Sequence, residues 1–220
     1  MKIVGIVDIH GNTTHVPALA AQVPDADLLL LGGDLTNFGR GGDALAVLEA
    51  LAPCAPRLLA VLGNCDYPEV RRTLADREVN LDRAGTSVGA VDLVGVGGSI
   101  ACPGRTPNEY ADAELGRFLD AAQAQLAGGR PVIMVSHQPP MDTIVDRVGG
   151  GSHAGSAAVR SFIEVQQPLV CLSGHIHEGD GIDRIGGTQL VNPGPFMHGN
   201  YAVIEVFAGA AEVTIHSLNT

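Results

Sequence analysis

Six short apolar runs in this chain break off into polar clusters flanked by glycine or proline. Asp8-Ile9-His10-Gly11-Asn12 follows the run at 3–7, and Gly32-Gly33-Asp34-Leu35-Thr36-Asn37 follows the run at 27–31. Gly63-Asn64-Cys65-Asp66 follows 57–62, Ser136-His137-Gln138-Pro139-Pro140 follows 131–135, and Ser173-Gly174-His175-Ile176-His177-Glu178 follows 169–172. Asn192-Pro193-Gly194-Pro195 ends the run at 188–191. Helical spacing fills 16–22, 43–51 and 69–76, the last opened by Pro68. Short buried strands alternating with helices form a βαβαβ pattern and predict a largely parallel α/β sheet. In such a sheet the carboxyl ends of the strands lie along one edge, where ligands bind.

Further on, 86–96 reads as one or two strands interrupted at Gly89, and 97–108 as a loop rich in Gly, Pro and Ser. The spacing predicts helices over 111–126 and 156–165. The strands at 181–185, 188–191, 201–206 and 211–217 read as a closing antiparallel meander, with Gly186-Gly187 as a tight turn. Gly149-Gly150-Gly151-Ser152 is too short for a linker and reads as a mobile loop. No repeat or charge block divides the chain, so residues 1–220 are taken as a single domain. At this length roughly 70 % of the unfolded surface is buried, and no covalent staple is needed.

Thirteen Lys and Arg against 24 Asp and Glu give a formal charge of −11. That balance disfavours long nucleic acid and anionic membrane as partners. The apolar runs fall far short of the roughly 18 residues a membrane span needs. Asp8 and His10 interrupt the first run, so no signal peptide is visible and a cytoplasmic protein is expected. The four cysteines form no CxxC pair, and most are expected as thiols in a reducing compartment.

Two Asp, one Asn and four His converge at the strand ends: Asp8, Asp34, Asn64, His10, His137, His175 and His177. These are N and O donors with no thiolate, a set suited to Mn²⁺, Fe or Zn²⁺ rather than to a structural zinc site. Seven donors exceed what one such ion takes from protein. Two ions sharing one carboxylate would use them all. A single DxH or HxH is a weak signal, but five ligand-bearing motifs in one order are not.

This order resembles the calcineurin-like metallophosphoesterase superfamily, whose pattern is DxH, GD, GN, a lone His and GHxH. Here it reads Asp8/His10, Gly33-Asp34, Gly63-Asn64, His137 and Gly174-His175-Ile176-His177, and it covers the chain from Asp8 to Pro195. The resemblance implies a four-layer αββα sandwich of two mixed β-sheets flanked by helices. It implies two divalent metal ions, Mn foremost with Fe, Zn or Ni also suitable. One would be held by Asp8, His10, Asp34 and His177, the other by Asp34, Asn64, His137 and His175, with Asp34 bridging. Two ions about 3.5–4 Å apart polarise a phosphoryl oxygen and lower the pKa of a bridging water, whose hydroxide attacks phosphorus in line. Gln138, Glu178 and Asp180 would orient the ligand imidazoles.

One position departs from the commoner pattern. Cys65 stands where many members carry a His that helps the leaving oxygen, and GNCD is similar to a small bacterial and archaeal phosphodiesterase branch. A thiol brings no positive charge, so leaving groups that need little protonation would be favoured. Asp34, Asn64, Cys65 and His153 are therefore the catalytic candidates, His153 as a substitute acid in its glycine loop. Asn12, Asn37, Asn64 and His198 are the substrate-binding candidates. Apolar residues near Phe196 read as part of the cleft or of an interface. The expected substrate is a small phosphate ester, with a phosphodiester foremost. The alternative is a non-catalytic metal-binding scaffold or sensing module of the same fold. The oligomeric state stays open, a homodimer included.

Overall fold

The central strands are apolar on both faces because both faces are covered. The computed structural model describes residues 1–219. The first sheet contains β1 (Lys2–Ile6), β2 (Leu28–Gly32) and β3 (Leu58–Val61). Its other two strands are β10 (Asn200–Phe207) and β11 (Ala210–Ser217), in the order β11-β10-β1-β2-β3. β1, β2 and β3 run parallel, while β10 is antiparallel to both β1 and β11. The second sheet contains β4 (Ala84–Val88), β5 (Val91–Val96), β6 (Val132–Ser136), β7 (Val170–Ser173), β8 (Gly181–Ile185) and β9 (Thr188–Asn192). Its order is β4-β5-β6-β7-β9-β8, with a parallel centre of β5, β6, β7 and β9 and an antiparallel strand at each edge.

Three apolar clusters fill the three spaces between four layers. Side chains alternate across a strand, and the clusters follow that period. Leu29 and Leu31 of β2 face outward, onto α1 (Val16–Gln22), α2 (Gly41–Leu51) and α3 (Val70–Asp76). Leu28 and Leu30 face inward, where they meet Ile133 and Val135 of β6 and Leu172 of β7. On the far side, Met134 and Cys171 meet α4 (Asp112–Gln123) and α5 (Ala157–Gln166). Each helix presents an apolar stripe at helical spacing. In α2 it is Ala44, Val47, Leu48 and Leu51, and in α4 it is Leu115, Leu119 and Ala122. The fold is thus the αββα sandwich of two mixed sheets.

Local starts and stops refine the sequence reading. α2 begins at Gly41, two residues before the expected start, because the Asp43 carboxylate accepts from Arg40 N at 2.7 Å and caps the turn from inside. Ser156 caps α5 by accepting from Val159 N. The stretch 86–96 is two strands hinged at Gly89, which has φ +56°. The closing meander is a correction. β8 and β9 pair in the second sheet, but β10 and β11 cross to the first, where Lys2 faces Glu205. Without β10, the buried strand β1 would present an unpaired edge. Phe196 itself is wholly buried under the first sheet. No helix among the described residues is long and apolar enough to cross a membrane.

Candidate metal centre

Strand ends from both sheets meet at one edge of the sandwich. β1 delivers Asp8 and His10, β2 delivers Asp34, and β3 delivers Asn64. From the second sheet, β6 delivers His137 and β7 delivers His175 and His177. Four of these, Asp8, His10, Asp34 and His175, have φ between 47° and 68°. Left-handed backbone costs a non-glycine residue on the order of 1–3 kcal/mol and collects at functional sites. The surrounding chain holds it there. Asp8 N donates to Gly33 O (3.1 Å) and His10 N to Asp34 O (2.8 Å). Gly33 must be glycine, since at φ +99° an added Cβ would stand 2.4 Å from His137 Nδ1. At Gly63 it would stand 1.9 Å from Asp34 Oδ1.

Three histidine–carboxylate pairs sit beyond hydrogen-bond separation. His10 Nε2 is 3.6 Å from Asp34 Oδ2, and His137 Nε2 is 3.6 Å from Asp34 Oδ1. His177 Nε2 is 3.7 Å from Asp8 Oδ1. These gaps exceed a hydrogen bond. Two donors each about 2.1 Å from one ion would be roughly 3–3.5 Å apart. The two oxygens of Asp34 therefore address histidines on opposite sides, as a bridging carboxylate would.

Two observations test whether the residues fit a metal. Both ring nitrogens of His10 are buried and have no hydrogen-bond partner. His137 is wholly buried, and its Nδ1–H donates to Gly32 O at 2.8 Å. In the neutral ring Nε2 is then a lone pair, and it faces Asn64 Oδ1 at 2.9 Å. That lone pair and the unpartnered nitrogens of His10 are available to a cation. Burial keeps the His137 ring from supplying the charge, since it pushes its pKa below the usual range. The donor set fits divalent ions.

The electrostatics agree. Burial, then the charge of Asp8, raises Asp34 to about 6. Burial also works to raise Asp8, but the imidazoles of His177, His137 and His10 hold it below its ordinary value. Burial, then His137, pushes His175 down to about 3, while the Asp8 carboxylate raises His177. Without metal the cluster crowds two carboxylates, which bound cations would relieve.

Neighbouring groups fix the loops. Asp66 is buried and accepts from Leu35 N (3.1 Å), Thr36 N (2.8 Å), Gly63 N (2.8 Å) and Thr36 Oγ1 (2.7 Å), tying the Asp34 turn to the Asn64 turn. Cys65 is buried, and its N–H donates to Asp34 Oδ1 at 2.7 Å. Its sulfur lies within 4.8 Å of ligand atoms of His10 and Asp34. Burial, followed by the Asp34 charge, drives the thiol far above its ordinary pKa, so it stays protonated. The loop 97–108 buttresses the same turn: Asn108 N donates to Asn64 O and Asn108 Nδ2 to Gly63 O. It also brings Cys102 Sγ to 3.6 Å from His175 Nε2.

The remaining candidates stand outside the ligand groups themselves. Asn37 is exposed and shares a depression of about 370 Å³ with His10, Thr36 and Phe38. Asn12 has its side chain engaged locally, donating to Met197 O and accepting from Thr14 N. His198 is exposed in a short turn. His153 Nδ1 is held by Asp146 Oδ1 at 2.6 Å, with no contact to the ligand set among the described residues. Gln138 does not orient an imidazole; it joins Ile100 N to Ala154 O, and the group that orients His137 is the Gly32 carbonyl. Glu178 and Asp180 are exposed and, among the described residues, hydrogen-bond to no ligand imidazole. Sequence reasoning missed Cys102, which stands 73 residues from His175 and carries no motif. It also missed Asp146, whose only signal is a carboxylate seven residues before a loop histidine.

A four-layer sandwich with this donor set at its strand ends defines a metal-dependent phosphoester hydrolase. The calcineurin-like phosphoesterase family model matches residues 1–179, and the chain belongs to that family. Membership implies a dinuclear divalent-metal centre. An uncharacterized protein of Methanocaldococcus jannaschii, MJ1162, is 39 % identical over 201 residues, covering 89 % of this chain and 88 % of that one. TT1561 of Thermus thermophilus shares the fold with a TM-score of 0.78 at 22 % identity, covering 99 % of each chain. The purple acid phosphatase PPD1 of yellow lupin shares it with a TM-score of 0.66 at 11 % identity, over 99 % of this chain and 51 % of that one.

Proposed function

We propose that this chain hydrolyses small phosphodiesters, using two divalent ions of which Mn²⁺ suits the donors best and Fe, Zn or Ni also fit. Asp8, His10 and His177 would hold one ion and Asn64, His137 and His175 the other, with Asp34 serving both. When bound, such ions polarise phosphoryl oxygens and lower the pKa of water. The protein's own share is positional. His137 is locked by Gly32 O, Asp34 by Cys65 N, and the two turns by Asp66. Asn37 and Thr36 line the open side next to His10, where the Asn37 amide can donate to a phosphate oxygen.

The observation that carries the diester reading is the lack of cationic side chains around the cluster. Neither depression flanking the cluster is lined by Lys or Arg. Cys65 is a protonated, uncharged thiol where an imidazolium would otherwise stand. A monoester dianion demands more positive charge than a diester monoanion. A protonated thiol of very high pKa is a weak proton donor, so the leaving oxygen must depart largely unaided.

The test is hydrolysis of a 4-nitrophenyl phosphodiester and of 4-nitrophenyl phosphate by chelator-treated protein, with Mn²⁺, Zn²⁺, Ni²⁺ or Mg²⁺ restored singly. Turnover that returns with metal and favours the diester is expected. Two ions bound per chain with no turnover on either ester would overturn the reading in favour of a scaffold or sensing module.

A further inference from the structure

A second depression adjoins the cluster at His175, and its chemistry differs from that of the depression at His10 and Asn37. Its volume is about 570 Å³, within the roughly 300–1,000 Å³ of small-molecule sites. Ile100, Ala101, Pro103, Val148, Ala154 and Ile176 form its walls. The remaining two lining residues are Cys102 and the metal-ligand candidate His175, so the depression begins where the cluster ends. No charged side chain lines it.

The walls are built rather than left over from loop packing. Gln138, wholly buried next to His137, accepts from Ile100 N at 3.0 Å and donates to Ala154 O at 2.8 Å. One side chain at the end of β6 thereby sets the spacing of both loops. Asp146 holds the second loop from behind, accepting from Thr143 N (2.8 Å), Gly155 N (2.9 Å) and His153 Nδ1 (2.6 Å). Ile176 N is bonded to Gly174 O, which fixes the floor to the same turn that carries His175. Thus Ile100 and Ala154 are pinned to the residue that follows His137, and Ile176 to the turn that carries His175.

We propose that this depression receives an uncharged, apolar organic group of the ester, aryl or alkyl, while the phosphate sits at the cluster. The inference rests on the phosphodiesterase reading and narrows its substrate class. A sugar or a second phosphate would find no hydrogen-bonding side chain on these six walls and would lose its hydration there. An apolar group gains by leaving water in proportion to the area covered.

The experiment uses 4-nitrophenyl diesters whose second group is methyl, butyl or phenyl, so the chromogenic leaving group stays constant. The kcat/KM of the metal-loaded chain is divided by each ester's hydroxide-catalysed rate. The expected result is a rise from methyl to phenyl of about tenfold or more. In Val148→Asp the ratio should collapse to about twofold, and in Val148→Leu it should persist. A flat series, or a ratio that Val148→Asp leaves intact, overturns the pocket while diester turnover upholds the phosphodiesterase reading. Absence of turnover on every diester, with monoester turnover retained, overturns both.

Discussion

Two clusters of buried polar side chains shape the loops of this molecule, one around Asp34 and one around Asp146. Asp146 accepts from Thr143 N, Asp142 N, Gly155 N and the His153 ring. Burial works to raise it, but those donors, His153 foremost, hold its carboxyl below the ordinary value. Asp34 accepts one backbone N–H, stands 3.6 Å from two imidazoles, and is raised to about 6. His10 next to it has no partner for either ring nitrogen. Burial penalises the charged form in both places, but only one cluster is internally satisfied. The satisfied cluster shapes loops. The unsatisfied one is a seat for something the chain does not contain.

The sharpest way to break that comparison is Asp34→Asn. Diester turnover should fall on the order of 10³-fold. Stability should move the other way in metal-free protein. A carboxyl raised in the folded state contributes stability that is full below its unfolded value of 3.8 and is lost as pH rises through about 6. Metal-free Asp34→Asn should therefore melt above metal-free wild type at pH 8 and level with it at pH 4. Equal melting at pH 8 would remove Asp34 from the unsatisfied class.

Next in size is His10→Ala. Activity should drop about 10–100-fold with one ion lost per chain by metal analysis. Metal-free stability should change by no more than about 1 kcal/mol, because the packing lost against His177 is offset by removing two buried, unpartnered ring nitrogens. A costly His10→Ala in the metal-free chain would mean that its ring is structural.

Asp146→Asn is the counterpart on the satisfied side. It should cost about 1–3 kcal/mol at pH 7. A depressed carboxyl contributes stability above its unfolded value of 3.8 that is lost as pH falls through the folded pKa. The gap to wild type should thus close in acid, opposite in sign to Asp34. Denaturant melts at pH 7 and pH 3 decide it.

The smallest expected effect is Cys65→His. Alkyl leaving groups should gain a few-fold over aryl ones, since an imidazolium can protonate a poor leaving oxygen. Equal change on both classes would assign Cys65 a packing role.

The parallel core and the ligand motifs were legible because each is a local pattern. A run such as Leu28-Leu29-Leu30-Leu31 is apolar at both parities and so must be covered on both faces. The chain's turn at its end is written in Gly33-Asp34. What stayed hidden involves partners far apart in the sequence. The final four strands look like one meander, yet β10 leaves for β1, nearly the whole chain away. Gln138 sits beside a ligand motif, which points to an imidazole partner, but its amide bridges two loops instead.

The sequence alone determined which atoms are available to bind a metal and at which strand ends they stand, because residue type and local backbone conformation are properties of short segments. Tertiary structure decided which sheet each closing hairpin joins, which nitrogen of His137 is left free, and what walls the cluster. Those outcomes depend on close packing and on hydrogen-bond acceptors such as Gly32 O, 105 residues from His137, which folding alone brings within reach.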